Sequence, residues 1–94
     1  MHFHDTYHHA VENVLASWKR GIETFDSSAG GIGGCPYAPG ASGNLATEDL
    51  LYMLEGLGVT TGISLPKLVE ASRELSRRLG RKLPGRYLAA VAGA

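Results

Sequence analysis

The sequence predicts an α/β chain organised as βα units, and three observations carry that reading. Short β-prone runs stand at Met1 to His4 and at Ile22 to Asp26. Apolar residues at helical spacing follow the first of them and recur after position 47. Between the second run and the next helix lies a long stretch rich in glycine and proline. The resulting order of strand, helix, strand, long loop, helix, helix is the order of a βα architecture.

Each element has a local reason. Met1 to His4 reads as a strand end, and Asp5 or Thr6 can cap the helix after it by accepting from amides of the first turn. Val11, Val14, Leu15 and Trp18 repeat with helical period, and Gly21 stands where a left-handed residue ends a helix. Ile22, Thr24 and Phe25 favour a short strand over Ile22 to Asp26. Ser27 to Gly43 holds six glycines with Pro36 and Pro39, so it reads as a loop, expected to be the most mobile and exposed internal segment. Thr47, Glu48 and Asp49 open a helix carried by Leu50, Leu51, Met53, Leu54 and Leu57, with Gly58 as its stop. Ser64-Leu65-Pro66 opens another through Leu68, Val69, Leu75 and Leu79, with Arg77 and Arg78 in its last turn and Gly80 closing it. Pro84 can start a short last helix through Tyr87, Leu88 and Val91.

Composition narrows the function classes. The chain has 94 residues, with nine basic and nine acidic side chains and a net charge of zero, which gives no electrostatic footprint for nucleic acid or an anionic membrane surface. No apolar run approaches the roughly 20 residues of a membrane span. One cysteine excludes an internal disulfide and suits a reducing compartment. No secretory signal pattern precedes the first strand, and a targeting peptide of a longer parent would lie upstream.

Several residues can carry chemistry. His2 and His4 lie two apart in a strand and face one side while Phe3 packs on the other, so they can share one ion or simply form a polar strand end. Asn44 closes the glycine loop and can converge on them. Cys35 is either a small buried hydrophobe or a reactive thiol; Gly33, Gly34 and Pro36 around it favour an irregular loop. His8 and His9 fall in the first helix, where solvated or packing roles suffice. Glu48 and Asp49 supply favourable charge at a helix start, and Glu48 can also orient a ligand. Arg77, Arg78, Arg81 and Lys82 read as a solvated helix end. No phosphate-binding glycine motif feeds a helix, which rejects a nucleotide site.

His2-Phe3-His4-Asp5-Thr6 together with the run from Gly30 to Asn44, GGIGGCPYAPGASGN, resembles the 3-hydroxy-3-methylglutaryl-CoA lyases. These belong to a superfamily of metal-dependent TIM-barrel lyases and aldolases that also holds the isopropylmalate synthases. The likeness runs from His2 to about Leu83. Cys35-Pro36-Tyr37-Ala38 favours lyase over synthase, whose loop resembles G-x-G-E-R-x-G-N. A closed barrel needs about 200 to 250 residues. The resemblance therefore implies the C-terminal fragment of a (β/α)8 TIM barrel over residues 1–94, about two βα units plus C-terminal helices, an incomplete pyruvate carboxyltransferase-like domain.

What the resemblance implies for chemistry is specific. His2, His4 and Asn44 match three of four protein ligands to Mg2+ or Mn2+; the fourth is an aspartate on the first barrel strand, and an arginine that stabilises the enolate also lies outside this chain. Cys35 matches a cysteine that transfers a proton at the leaving acetyl-CoA carbon, and His2 would relay the proton of the substrate hydroxyl. The expected substrate is an acyl-CoA, cleaved to acetyl-CoA and acetoacetate, with little activity in the chain alone. Neither nucleic acid nor membrane is an expected partner; a homo-oligomer or the remaining barrel portion is. The expected compartment is the cytoplasm, or the mitochondrial matrix for a eukaryotic parent. The rival reading is a non-catalytic truncated product, or a small helical module that self-associates to cover its strand edges.

Overall fold

A computed structural model describes residues 1–5, 9–33 and 43–91. Among these the chain forms four α-helices: α1 (Ala10–Lys19), α2 (Thr47–Gly56), α3 (Leu65–Leu79) and α4 (Arg86–Val91), with a 3₁₀ turn at Ala29–Gly31. The molecule measures 38 × 30 × 18 Å.

The two strands expected from the sequence are present only as isolated pairings among the described residues. His2 bridges Asp26 in parallel, His4 bridges Asn44 antiparallel, and Ser28 bridges Ala46 in parallel. The first segment divides its hydrogen bonds, which is why no ladder grows. Its terminal ammonium donates to the Thr24 carbonyl at 2.7 Å and the Met1 carbonyl accepts from Asp26 at 2.9 Å, but Phe3 and Asp5 turn to Leu45 and Gly43. Ile22 is left exposed.

The helix starts follow their capping chemistry with one shift. Ser64 caps α3 by accepting from the Lys67 amide at 3.3 Å, Pro66 stands in the first turn, and Gly80 ends it at φ 69°. Thr47 opens α2 as expected, and α1 ends at Lys19 with Gly21 at φ 94° two residues on. The beginning of α1 differs. Asp5 does accept from the Ala10 amide at 3.1 Å, yet the residue at the helix boundary is His9, exposed and within 3.1 Å of Glu12. His9 therefore precedes the helix rather than lying in it; Thr6 and His8 lie outside the described residues.

The core forms on both sides of α2. Leu51, Leu65, Val69, Leu83 and Leu88 make one cluster, joining α2, α3 and α4. Ala10, Val14, Leu45 and Leu50 make the other, with Phe3 and Phe25 against it. The expectation of an exposed Ser27–Gly43 loop holds at Ser27 and Gly33 but fails at Gly30, Gly31 and Gly43, which are buried. Their burial follows from packing, since a methyl added at Gly30 would lie 2.3 Å from Leu83 Cδ1. The rest of that expectation, Cys35 included, falls on residues 34–42, outside the described residues.

Candidate functional site

Alternation along the first segment sends His2 and His4 to one side, and their rings meet edge to face with centroids 5.2 Å apart at an interplanar angle of 89°. The Leu45 amide donates to Phe3 and the Asp5 amide to Gly43, each at 2.9 Å. These two bonds flank His4 and Asn44, making them a directly opposed pair whose side chains share a face. The structure thus sets His4 opposite Asn44 and the His2 ring against that of His4.

Asn44 is held in a defined orientation. Its Nδ2 donates to the Ile32 carbonyl at 3.3 Å, which fixes the amide and leaves Oδ1 as the free end. Gly33, at φ 110°, makes room for it, because a methyl there would sit 2.5 Å from Nδ2. Oδ1 is buried and accepts no hydrogen bond among the described residues. A buried acceptor left unmet costs about 1–3 kcal/mol, and the residue that carries it lies across the bridge from His4. Two imidazole nitrogens and an amide oxygen fit a divalent ion that keeps open positions for substrate oxygens. No group of three or more His, Cys, Asp or Glu side chains capable of holding a metal occurs among the described residues.

Three residues act in ways the sequence did not fully disclose. Asp26 places a carboxylate oxygen 3.9 Å from His2 Nδ1, longer than a hydrogen bond and between two exposed side chains. Glu48 is completely buried, and both of its oxygens accept the Gly30 amide, at 2.9 and 3.0 Å. It lies three residues before buried Leu51 on the apolar face of α2, the one signal that could have marked it. Asp49 accepts from the amides of Tyr87 at 2.7 Å and Arg86 at 3.3 Å, so it caps α4 from another helix. The basic helix end is partly paired: Arg77 and Arg78 both bind Glu74 and hold its carboxyl below its ordinary value.

A 610 Å³ groove between α1, α2 and α4, lined by Val11, Asp49, Tyr52, Met53, Tyr87 and Val91 among others, includes none of His2, His4 and Asn44.

The model of the HMGL-like family matches residues 1–75. The chain belongs to the HMGL-like family. Human mitochondrial hydroxymethylglutaryl-CoA lyase is 57% identical over 82 residues, covering 87% of this chain and 25% of that protein. The crystal structure of the Bacillus subtilis HMG-CoA lyase superposes with a TM-score of 0.91 at 48% identity, over 98% of this chain and 31% of that one. An Acinetobacter baumannii HMG-CoA lyase solved with coenzyme A and 3-methylmalate gives a TM-score of 0.84 at 48% identity, over 98% and 30%. The chain thus spans less than a third of the length of these family members. Its fold is a fragment of their TIM barrel, so the α/β expectation holds even though its strands remain single bridges.

Proposed function

We propose that residues 1–94 are the C-terminal portion of a hydroxymethylglutaryl-CoA lyase barrel, carrying three of its metal ligands and its catalytic thiol. The observation behind this is that Asn44, whose buried Oδ1 accepts no hydrogen bond among the described residues, shares a face with His4 and His2. Mg2+ or Mn2+ held by these three would polarise the hydroxyl of a 3-hydroxy acid and lower its pKa.

The chain's own residues then divide the proton work. His2 takes the proton of the C3 hydroxyl as the C2–C3 bond breaks. The electron pair of that bond passes to C2, giving the enolate of acetyl-CoA, while C3 becomes the ketone of acetoacetate. Cys35 delivers a proton to C2. One proton leaves the substrate and one returns, so the reaction needs no redox partner. Asn44 orients, without transferring a proton. The acyl-CoA substrate and a cytoplasmic or mitochondrial-matrix setting follow the lyase reading. The remaining barrel is the natural partner for the open strand edges. A self-associating helical module is the weaker alternative, since a TM-score of 0.91 favours a retained barrel conformation over a rearranged one.

The test replaces the matching part of the Bacillus subtilis lyase with these residues and measures cleavage of 3-hydroxy-3-methylglutaryl-CoA. Metal-dependent turnover is expected, with Cys35→Ala lowering it about a hundred-fold or more and leaving metal affinity intact. A folded chimera that does not cleave this substrate, or that keeps full turnover with Cys35→Ala, overturns the assignment.

A further inference from the structure

The match to the family model ends at residue 75, yet a segment beyond it packs against Gly30 and Gly43. Leu83, buried, lies directly over Gly30, with its Cδ1 2.3 Å and its Cβ 2.9 Å from where a methyl on Gly30 would be. The Gly85 amide donates to the Gly30 carbonyl at 2.7 Å. Pro84 stands against Gly43, its Cγ 3.2 Å from the position of an added methyl there. Gly85 has no room for a side chain either: a methyl would meet the Gly30 oxygen and Ala46 Cβ, each at 3.1 Å. Three consecutive residues therefore touch both Gly30, upstream of Cys35, and Gly43, the neighbour of Asn44. They are themselves anchored by Asp49, which binds the amides of Arg86 and Tyr87, and by Leu88 in the core.

We propose that Leu83-Pro84-Gly85 is a clasp that sets the separation of the two ends of the glycine loop and so positions Asn44 for the metal. The inference rests on the reading of His2, His4 and Asn44 as ligands. Its physical basis is that Asn44 is oriented by Ile32, two residues beyond Gly30, so displacing Gly30 moves the carbonyl that Asn44 Nδ2 donates to. These are positioning residues, since none of them reaches the ligand face itself.

Gly85→Ala is the direct perturbation: it pushes on the Gly30 carbonyl without removing any core side chain. The full chain would be titrated with Mn2+ alone, following paramagnetic broadening of His2, His4 and the Asn44 side-chain amide by NMR, with hydrogen exchange of the Gly30 and Gly31 amides measured in parallel. Gly85→Ala should raise the Mn2+ midpoint about ten-fold, as loss of an orienting contact does, shift the Asn44 side-chain amide, and speed exchange at Gly30 and Gly31 about ten-fold. Exchange at Val14 in α1 should not change. Midpoint, amide shift and exchange all equal to wild type would overturn the clasp. If wild type shows no broadening at Asn44, the ligand reading fails, and the exchange result alone then decides whether the clasp stands. Should Gly85→Ala not fold, Leu83→Val, which trims the side chain over Gly30, carries the same readouts.

Discussion

Gly30→Ala is the sharpest single test of how the site is built. Gly30 sits at φ 65°, a conformation that costs an L-residue about 1–2 kcal/mol. Its new methyl would lie 2.3 Å from Leu83 Cδ1 and 2.9 Å from Leu83 Cβ. The second contact is near the backbone and cannot be relieved by a terminal rotation, so overpacking adds about 1–3 kcal/mol. The sum, about 2–5 kcal/mol, is a large share of the total expected for a chain of this size, about 5–14 kcal/mol. Gly58→Ala is the matched control: its φ is 80° and nothing lies within 4 Å, so only the conformational cost of about 1 kcal/mol should appear. Urea unfolding followed by circular dichroism measures both. With a slope of about 1–1.5 kcal/mol/M, Gly30→Ala should lower the midpoint by about 3 M and Gly58→Ala by less than half of that. Adding Leu83→Ala to Gly30→Ala should recover part of the loss, a coupling visible in a double-mutant cycle. Equal midpoints for the two glycine variants would refute the packing argument.

Two further outcomes follow from named contacts. Asp49→Ala should remove the acceptor for the Arg86 and Tyr87 amides and destabilise α4 by about 1 kcal/mol, as lost caps do, read as faster hydrogen exchange at Tyr87 with α3 unaffected. Glu74 should titrate below its ordinary 4.5 because Arg77 first, and Arg78 second, hold the ionised form. With the folded value depressed, the stabilisation is present above the ordinary carboxyl range and is lost as pH falls through the folded pKa. Arg77→Ala should move the titration back towards 4.5 in a carbon-detected NMR experiment; a wild-type Glu74 titrating at or above 4.5 would contradict the pairing.

How far the sequence disclosed the structure depended on the range of each interaction. Ser64 with Pro66 and Gly80 mark both ends of α3 within a few residues, so its limits were legible. The start of α1 was not, because Asp5 reaches the amide of Ala10 across five positions and the boundary falls at His9. The strands were legible as extended chain but not as bridges, since the turn of Phe3 and Asp5 toward Leu45 and Gly43 depends on a segment about 40 residues away. At the site, the alternation of His2 and His4 and the family loop ending at Asn44 were readable directly. The bond from Gly30 to buried Glu48 and the contacts of Leu83, Pro84 and Gly85 were not. They link residues 18 to 55 positions apart, and no local pattern encodes them.

The central claim is that His2, His4 and Asn44 hold one divalent ion. Anomalous diffraction at the manganese edge, on crystals of the Bacillus subtilis chimera grown with Mn2+, locates that ion directly. A single peak should lie about 2.0–2.3 Å from an imidazole nitrogen of each histidine and from Asn44 Oδ1, and Asn44 Nδ2 should still donate to Ile32. A peak away from these atoms, or an Asn44 Oδ1 that instead accepts a hydrogen bond from the protein, would contradict the account.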